Sequence, residues 1–106
     1  TGHGFRKIMR SKQQFTYIIE RLPKPQAIFK IIKQKTQMSL EEMYGDYNMG
    51  VGFALFIPTE SVNRTLKISK KLGINAINAG YIKRGSRRVV IEPLNIEFKG
   101  ESLQIR

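Results

Sequence analysis

The stretch NMGVGFALFIP, residues 48–58, constrains this chain more than any other. Residues 49–57 carry no charged and no polar side chain, and Pro58 closes the run. An unbroken apolar run of strand length predicts a central β-strand covered on both faces. Gly50 and Gly52 cost such a strand about 0.5–1 kcal/mol each relative to alanine. Two reasons for them stand open: tight helix-on-sheet packing, or a ligand or second backbone brought close. Asn48, at the start of the run, either faces a cleft or caps the preceding helix.

The flanking sequence predicts the rest of the fold. Phe5, Ile8 and Met9 share one short helical face, and FTYIIERL (15–22) alternates as a strand with Phe15, Tyr17 and Ile19 on its apolar side. Pro23 and Pro25 end that strand, and QAIFKIIKQK follows as a helix with Ile28, Ile31 and Ile32 as its buried stripe. Ser39 and Glu42 form a capping box at the start of a short helix, with Met38 and Met43 as its hydrophobic staple. Thr59 is the expected N-cap of a helix over 60–72, and Gly73 its C-terminal glycine. INAINAGYI (74–82) reads as a strand that turns through Arg84-Gly85-Ser86 into RRVVIEPL. NIEFKG and ESLQIR alternate to the end, as two strands or as one irregular tail. The class is α+β, a mostly antiparallel or mixed sheet with helices packed on it, in a single domain over 1–106.

Charge is uneven along the 106 residues. Residues 1–36 carry a net +8, residues 37–63 a net −4 and residues 64–106 a net +7, for +11 in all. A field of that sign suits nucleic acid, an acidic partner or a phosphorylated small molecule. There is no cysteine, which excludes disulfides, thiolate metal sites and a cysteine nucleophile. No apolar run reaches the ~18 residues of a membrane span, and no signal-peptide layout opens the chain, so the cytoplasm is expected. The chain begins at Thr1, so its natural N-terminus is expected upstream or removed.

Candidate chemistry is sparse. His3 is the sole histidine, which makes a histidine metal site or triad a poor fit. Glu41, Glu42 and Asp46 either hold a magnesium ion or cap a helix and favour its dipole. TGHG is more suggestive. Its glycines let successive N–H groups converge, Gly4 lets a ligand approach, and Arg6 and Lys7 stand nearby, the makings of a phosphate cradle.

TGHGFRKIMR, EEMYGDYNMGVGFALFIP and RRVVIEPLNIEF, in that order, resemble the C-terminal domain of the phosphoribosylformylglycinamidine cyclo-ligases, or aminoimidazole ribonucleotide synthetases. EEMYGDYNMGVGF is the most specific part; the wider superfamily shares the fold and a Gly-rich loop but not this stretch. The resemblance implies ATP-dependent closure of the imidazole ring of formylglycinamidine ribonucleotide, with magnesium accompanying the nucleotide. It implies a homodimer joined through N-terminal domains, and an active site in the cleft between N- and C-terminal domains. On it, Thr1, Gly2 and Gly4 fall on the family's Thr-Gly-Gly-Gly loop, with His3 where a glycine is commonest. Asn48, Gly50 and Gly52 fall on its Asn-Met-Gly-x-Gly strand. Substrate and phosphate binding are therefore expected at Thr1, Gly2, His3, Gly4, Asn48, Gly50 and Gly52, with no metal ligand and no assigned catalytic residue.

The same resemblance leaves the ATP- and magnesium-holding N-terminal domain, and the first part of the C-terminal domain, outside this chain. The chain is then expected to be incomplete as a catalyst and to need an upstream partner. A small basic nucleic-acid module is the alternative, on the strength of Tyr81 beside Lys83, Arg84, Arg87 and Arg88, although no recognition signature accompanies them.

Overall fold

The computed structural model describes residues 2–103. A 3-10 helix, Gly4–Met9, comes first, then strand β1 (Phe15–Ile19), helix α1 (Ala27–Thr36) and helix α2 (Leu40–Asp46). A long irregular stretch leads through a 3-10 turn, Thr59–Ser61, into helix α3 (Val62–Lys71). Strands β2 (Gly80–Arg84), β3 (Arg88–Ile91) and β4 (Ile96–Lys99) complete the order. The sheet runs β2-β1-β3-β4, with β1 antiparallel to β2, parallel to β3, and β3 antiparallel to β4. This is the expected α+β class with a mixed sheet.

One face of the sheet carries Tyr17, Ile19, Val89, Ile91, Ile96 and Phe98, and these meet Phe5 and Met9 of the first 3-10 helix and Met43 and Tyr44 of α2. Met9, Met43, Val89 and Ile91 have no appreciable exposure. β4 alternates as its sequence requires, with Ile96 and Phe98 inward and Glu97 and Lys99 outward. The capping box of α2 forms as expected: the Glu42 N–H donates to Ser39 Oγ at 3.1 Å, and the Ser39 N–H to Glu42 Oε1 at 3.2 Å.

Five expectations are corrected. Residues 51–58 form no strand and are mostly exposed; Phe53 is 91% accessible. Within the described residues no strand lies alongside them, so the apolar run has nothing to pair with. On α1 the packed side chains are Phe29 and Ile32, while Ile28 and Ile31 are about half exposed. Phe29 turns inward because its ring meets Tyr47 edge-on at 6.4 Å. Thr59 lies inside the 3-10 turn, and α3 starts from Ser61 with no side-chain cap bond. Gly73 does take the left-handed conformation of a C-terminal glycine, at φ +72°.

The fourth correction concerns topology. Arg84-Gly85-Ser86 does not close a hairpin, because β1 inserts between β2 and β3. The link passes over the start of β1 instead. It is held there by Gly85 N–H to Gln14 O at 3.2 Å and Thr16 Oγ1 to Ser86 O at 2.9 Å. Crossing two strand spacings takes about 9.6 Å, within reach of the few extended residues available. Fifth, only the C-terminal part of 74–82 is strand, and Gly100–Ser102 is a 3-10 turn. The remainder of ESLQIR, residues 104–106, lies outside the described residues.

The packing predicts a sharp contrast between two apolar truncations. Met43→Ala should cost about 2–5 kcal/mol in urea unfolding, whereas Ile28→Gln should change stability by no more than about 0.5 kcal/mol.

Candidate functional site

The first 3-10 helix and the end of α2 are locked together by one side chain. Arg6 donates from Nε to Gly45 O at 2.9 Å, from one terminal nitrogen to Ser102 O at 3.0 Å, and from the other to Gly2 O at 3.0 Å and Asp46 Oδ1 at 3.2 Å. A guanidinium suits this place because its planar fork meets several acceptors at once, here including a carbonyl at a helix C-terminus. Gly4 makes the approach possible. A Cβ there would lie 2.4 Å from Tyr44 O and 2.7 Å from Tyr47 O, and its φ is +44°. The absent side chain of Gly4 thus admits the α2 backbone rather than a ligand.

The contact sets the Gly2–Gly4 loop beside the segment that follows α2. Between them opens a cleft of about 1060 Å³, bounded by that loop, by Lys7 and Arg10, by the end of α2 and the two residues after it (46–48), and by residues 51–54. Phe56 closes one side, with its ring edge-on to Tyr17 at 5.7 Å. Residues 48–51 form a tight turn in which Val51 N–H donates to Asn48 O at 2.9 Å. Met49 and Gly50 both have positive φ, as a type I′ turn requires.

Five of the seven expected residues, Gly2, His3, Gly4, Asn48 and Gly52, line this cleft. Gly2 and Gly52 have open space where a side chain would stand. Gly50 does not line it: a Cβ there would run into the Gln26 side-chain amide, so its role is turn geometry and packing. Asn48 does not cap α2; its Oδ1 accepts the Gly50 N–H at 2.9 Å. Thr1 lies outside the described residues. The sequence reading passed over Arg10. The signal was available in the spacing: Arg10 caps the first helix three residues after Lys7, and at three residues per turn the two stack on one side.

His3 is half-buried, and its Nδ1 is enclosed with no hydrogen-bond partner among the described residues. Its pKa is held below the ordinary 6.5, first by loss of solvation and then by the Arg6 and Lys7 cations, with Asp46 opposing. Both causes favour the neutral imidazole. Of the three acidic candidates, Glu42 is engaged in the capping box and Asp46 with Arg6, while Glu41 stands exposed in the first turn of α2. No group of three or more His, Asp or Glu side chains among the described residues is placed to hold a metal ion. The basic cluster near Tyr81 is likewise partly committed: Arg87 donates to Met9 O at 2.9 Å, and Arg88 pairs with Glu97 at 3.2 Å.

No protein-family model matches the chain. Among curated proteins it is similar to the phosphoribosylformylglycinamidine cyclo-ligase of Methanocaldococcus jannaschii, 41% identical over 77% of this chain and 23% of that protein. It is 35% identical to the Methanococcus vannielii enzyme of the same name over 95% of this chain and 26% of the relative. The corresponding figures for Methanopyrus kandleri are 31%, 93% and 28%. This chain is homologous to a segment of the cyclo-ligases. It spans about a quarter of the length of these relatives, as a partial domain would.

Two measurements follow. Arg6→Lys should lower stability by about 2–3 kcal/mol, because an ammonium cannot serve acceptors spread across four residues. The imidazole of His3, the only one in the chain, should titrate below 6.5 by NMR and move partly back as salt screens Arg6 and Lys7. Since protonation is harder in the folded state, stability from this group is complete above 6.5 and declines as pH falls from there toward the folded pKa.

Proposed function

We propose that the chain forms one wall of the active-site cleft of an ATP-dependent cyclo-ligase that converts formylglycinamidine ribonucleotide to aminoimidazole ribonucleotide. The observation that carries this reading is the single cleft that gathers the Gly2–Gly4 loop, Asn48, Gly52 and the two cations Lys7 and Arg10. The phosphoribosyl end of the substrate would meet the open backbone at Gly2 and Gly52 and the charges of Lys7 and Arg10. Neutral His3 would offer a ring nitrogen at the same mouth without adding to the positive charge.

In this reading ATP activates the amide oxygen of the substrate by phosphorylation. A nitrogen of the same molecule then closes the ring, and the oxygen leaves with the phosphate. In this reading nucleotide and magnesium are held by the part of the enzyme outside this chain, as the resemblance to the cyclo-ligases implies, while Glu42 and Asp46 serve the fold. The proposal includes a cytoplasmic enzyme of purine biosynthesis that is inactive without its remaining polypeptide and oligomeric when complete. No helix of the described residues is long and apolar enough to cross a membrane.

The test is ring closure by this chain together with the Methanocaldococcus jannaschii relative shortened to remove its matched quarter. Product should form only when both are present. Lys7→Ala combined with Arg10→Ala should raise KM for the ribonucleotide at least about tenfold, equivalent to roughly 1.4 kcal/mol of lost binding. A folded one-to-one complex that makes no product would sink the reading.

A further inference from the structure

The buried core of the described chain stops at Met49 and resumes at Val89. Ten of the thirteen exposed large apolar side chains fall within residues 53–82, so the lack of cover is regional rather than scattered. It is densest at Phe53, Leu55, Phe56 and Ile57. Among the described residues the backbone of 52–57 makes no hydrogen bond. Ordering a residue's backbone costs about 1–2 kcal/mol, and here only the Phe56–Tyr17 ring contact stands out against that cost. Yet the composition is that of a strand interior, apolar throughout and rich in large side chains.

We propose that residues 52–57 are a docking strand for the polypeptide that precedes this segment in the complete cyclo-ligase. An apolar strand of that polypeptide hydrogen-bonds to their free backbone groups and covers Phe53 and Leu55. The inference rests on the cyclo-ligase reading for its partner. Three observations select this occupant. The relatives are long enough to supply it, since the chain spans only 23–28% of them. Gly2 and residues 53–54 bound the same cleft, so the unpaired segment lies on the side of the chain where Gly2 stands. A second copy is a poor occupant, because pairing would bring together two chains that each carry +11. Docking would also complete the Phe53 side of the cleft, which couples partner binding to the shape of the site.

Hydrogen exchange of the 106-residue chain, alone and with the shortened Methanocaldococcus jannaschii relative, tests this. In a one-to-one complex the amides of 53–57 should slow at least about tenfold. Phe53→Asp combined with Leu55→Asp should weaken the complex at least about tenfold; both side chains are exposed, so the far-UV spectrum of the chain should not change. Three results overturn the proposal: no complex at tens of micromolar, a complex indifferent to these substitutions, or protection of 53–57 that grows with the concentration of the chain alone. Ring closure in the same mixtures separates the two readings. Protection without product defeats the function and keeps the docking strand; product without protection does the reverse.

Discussion

The Arg6 guanidinium is the hub of this structure. It reaches the backbone at Gly2, Gly45 and Ser102 and the carboxylate of Asp46, and so joins an N-terminal loop, the end of α2 and the last described turn. The bond to Gly45 is partly shielded from water, where a charge-assisted hydrogen bond contributes roughly 1.5–3 kcal/mol, and the other three are exposed and contribute less. The close approach depends on Gly4, since any side chain there would strike the α2 carbonyls. With loop and helix held this close, the cleft has one rigid side. A basic residue beside a glycine motif reads from sequence as a phosphate ligand, but here it is a strut.

Arg87 plays a similar part at the other end of the first 3-10 helix, donating to the carbonyls of Met9 and Arg10. Two arginines thus bind the ends of one short helix to the α2 terminus and to the sheet. Part of the excess positive charge serves folding in this way, which weakens the argument from charge to nucleic acid. Lys7 and Arg10 are the cations left facing the cleft.

The residues from 52 to 78 behave differently. They contain a well-formed amphipathic helix and the most apolar run in the chain, yet none of them is buried. A free-standing domain would be expected to bury such residues, because apolar burial at roughly 25 cal/mol per Å² is what offsets conformational entropy. Covering about a quarter of its relatives, the chain holds a core on one side of its sheet and an uncovered surface elsewhere.

The sequence by itself determined what is local or periodic. The capping box at Ser39 and Glu42, the left-handed Gly73, the alternation of Ile96 and Phe98, and the inward Phe5 and Met9 all follow from spacing and backbone preference. The α+β class and the kinship to cyclo-ligases were legible for the same reason, as motifs in order. Tertiary structure alone decided the rest. Whether 49–57 becomes a strand depends on a neighbour that local sequence does not supply. That β1 enters between β2 and β3 depends on pairing partners some 70 residues apart. Gly4 and Gly50 serve packing, Gly2 and Gly52 leave open space, and the four look alike in sequence because a glycine does not record what approaches it.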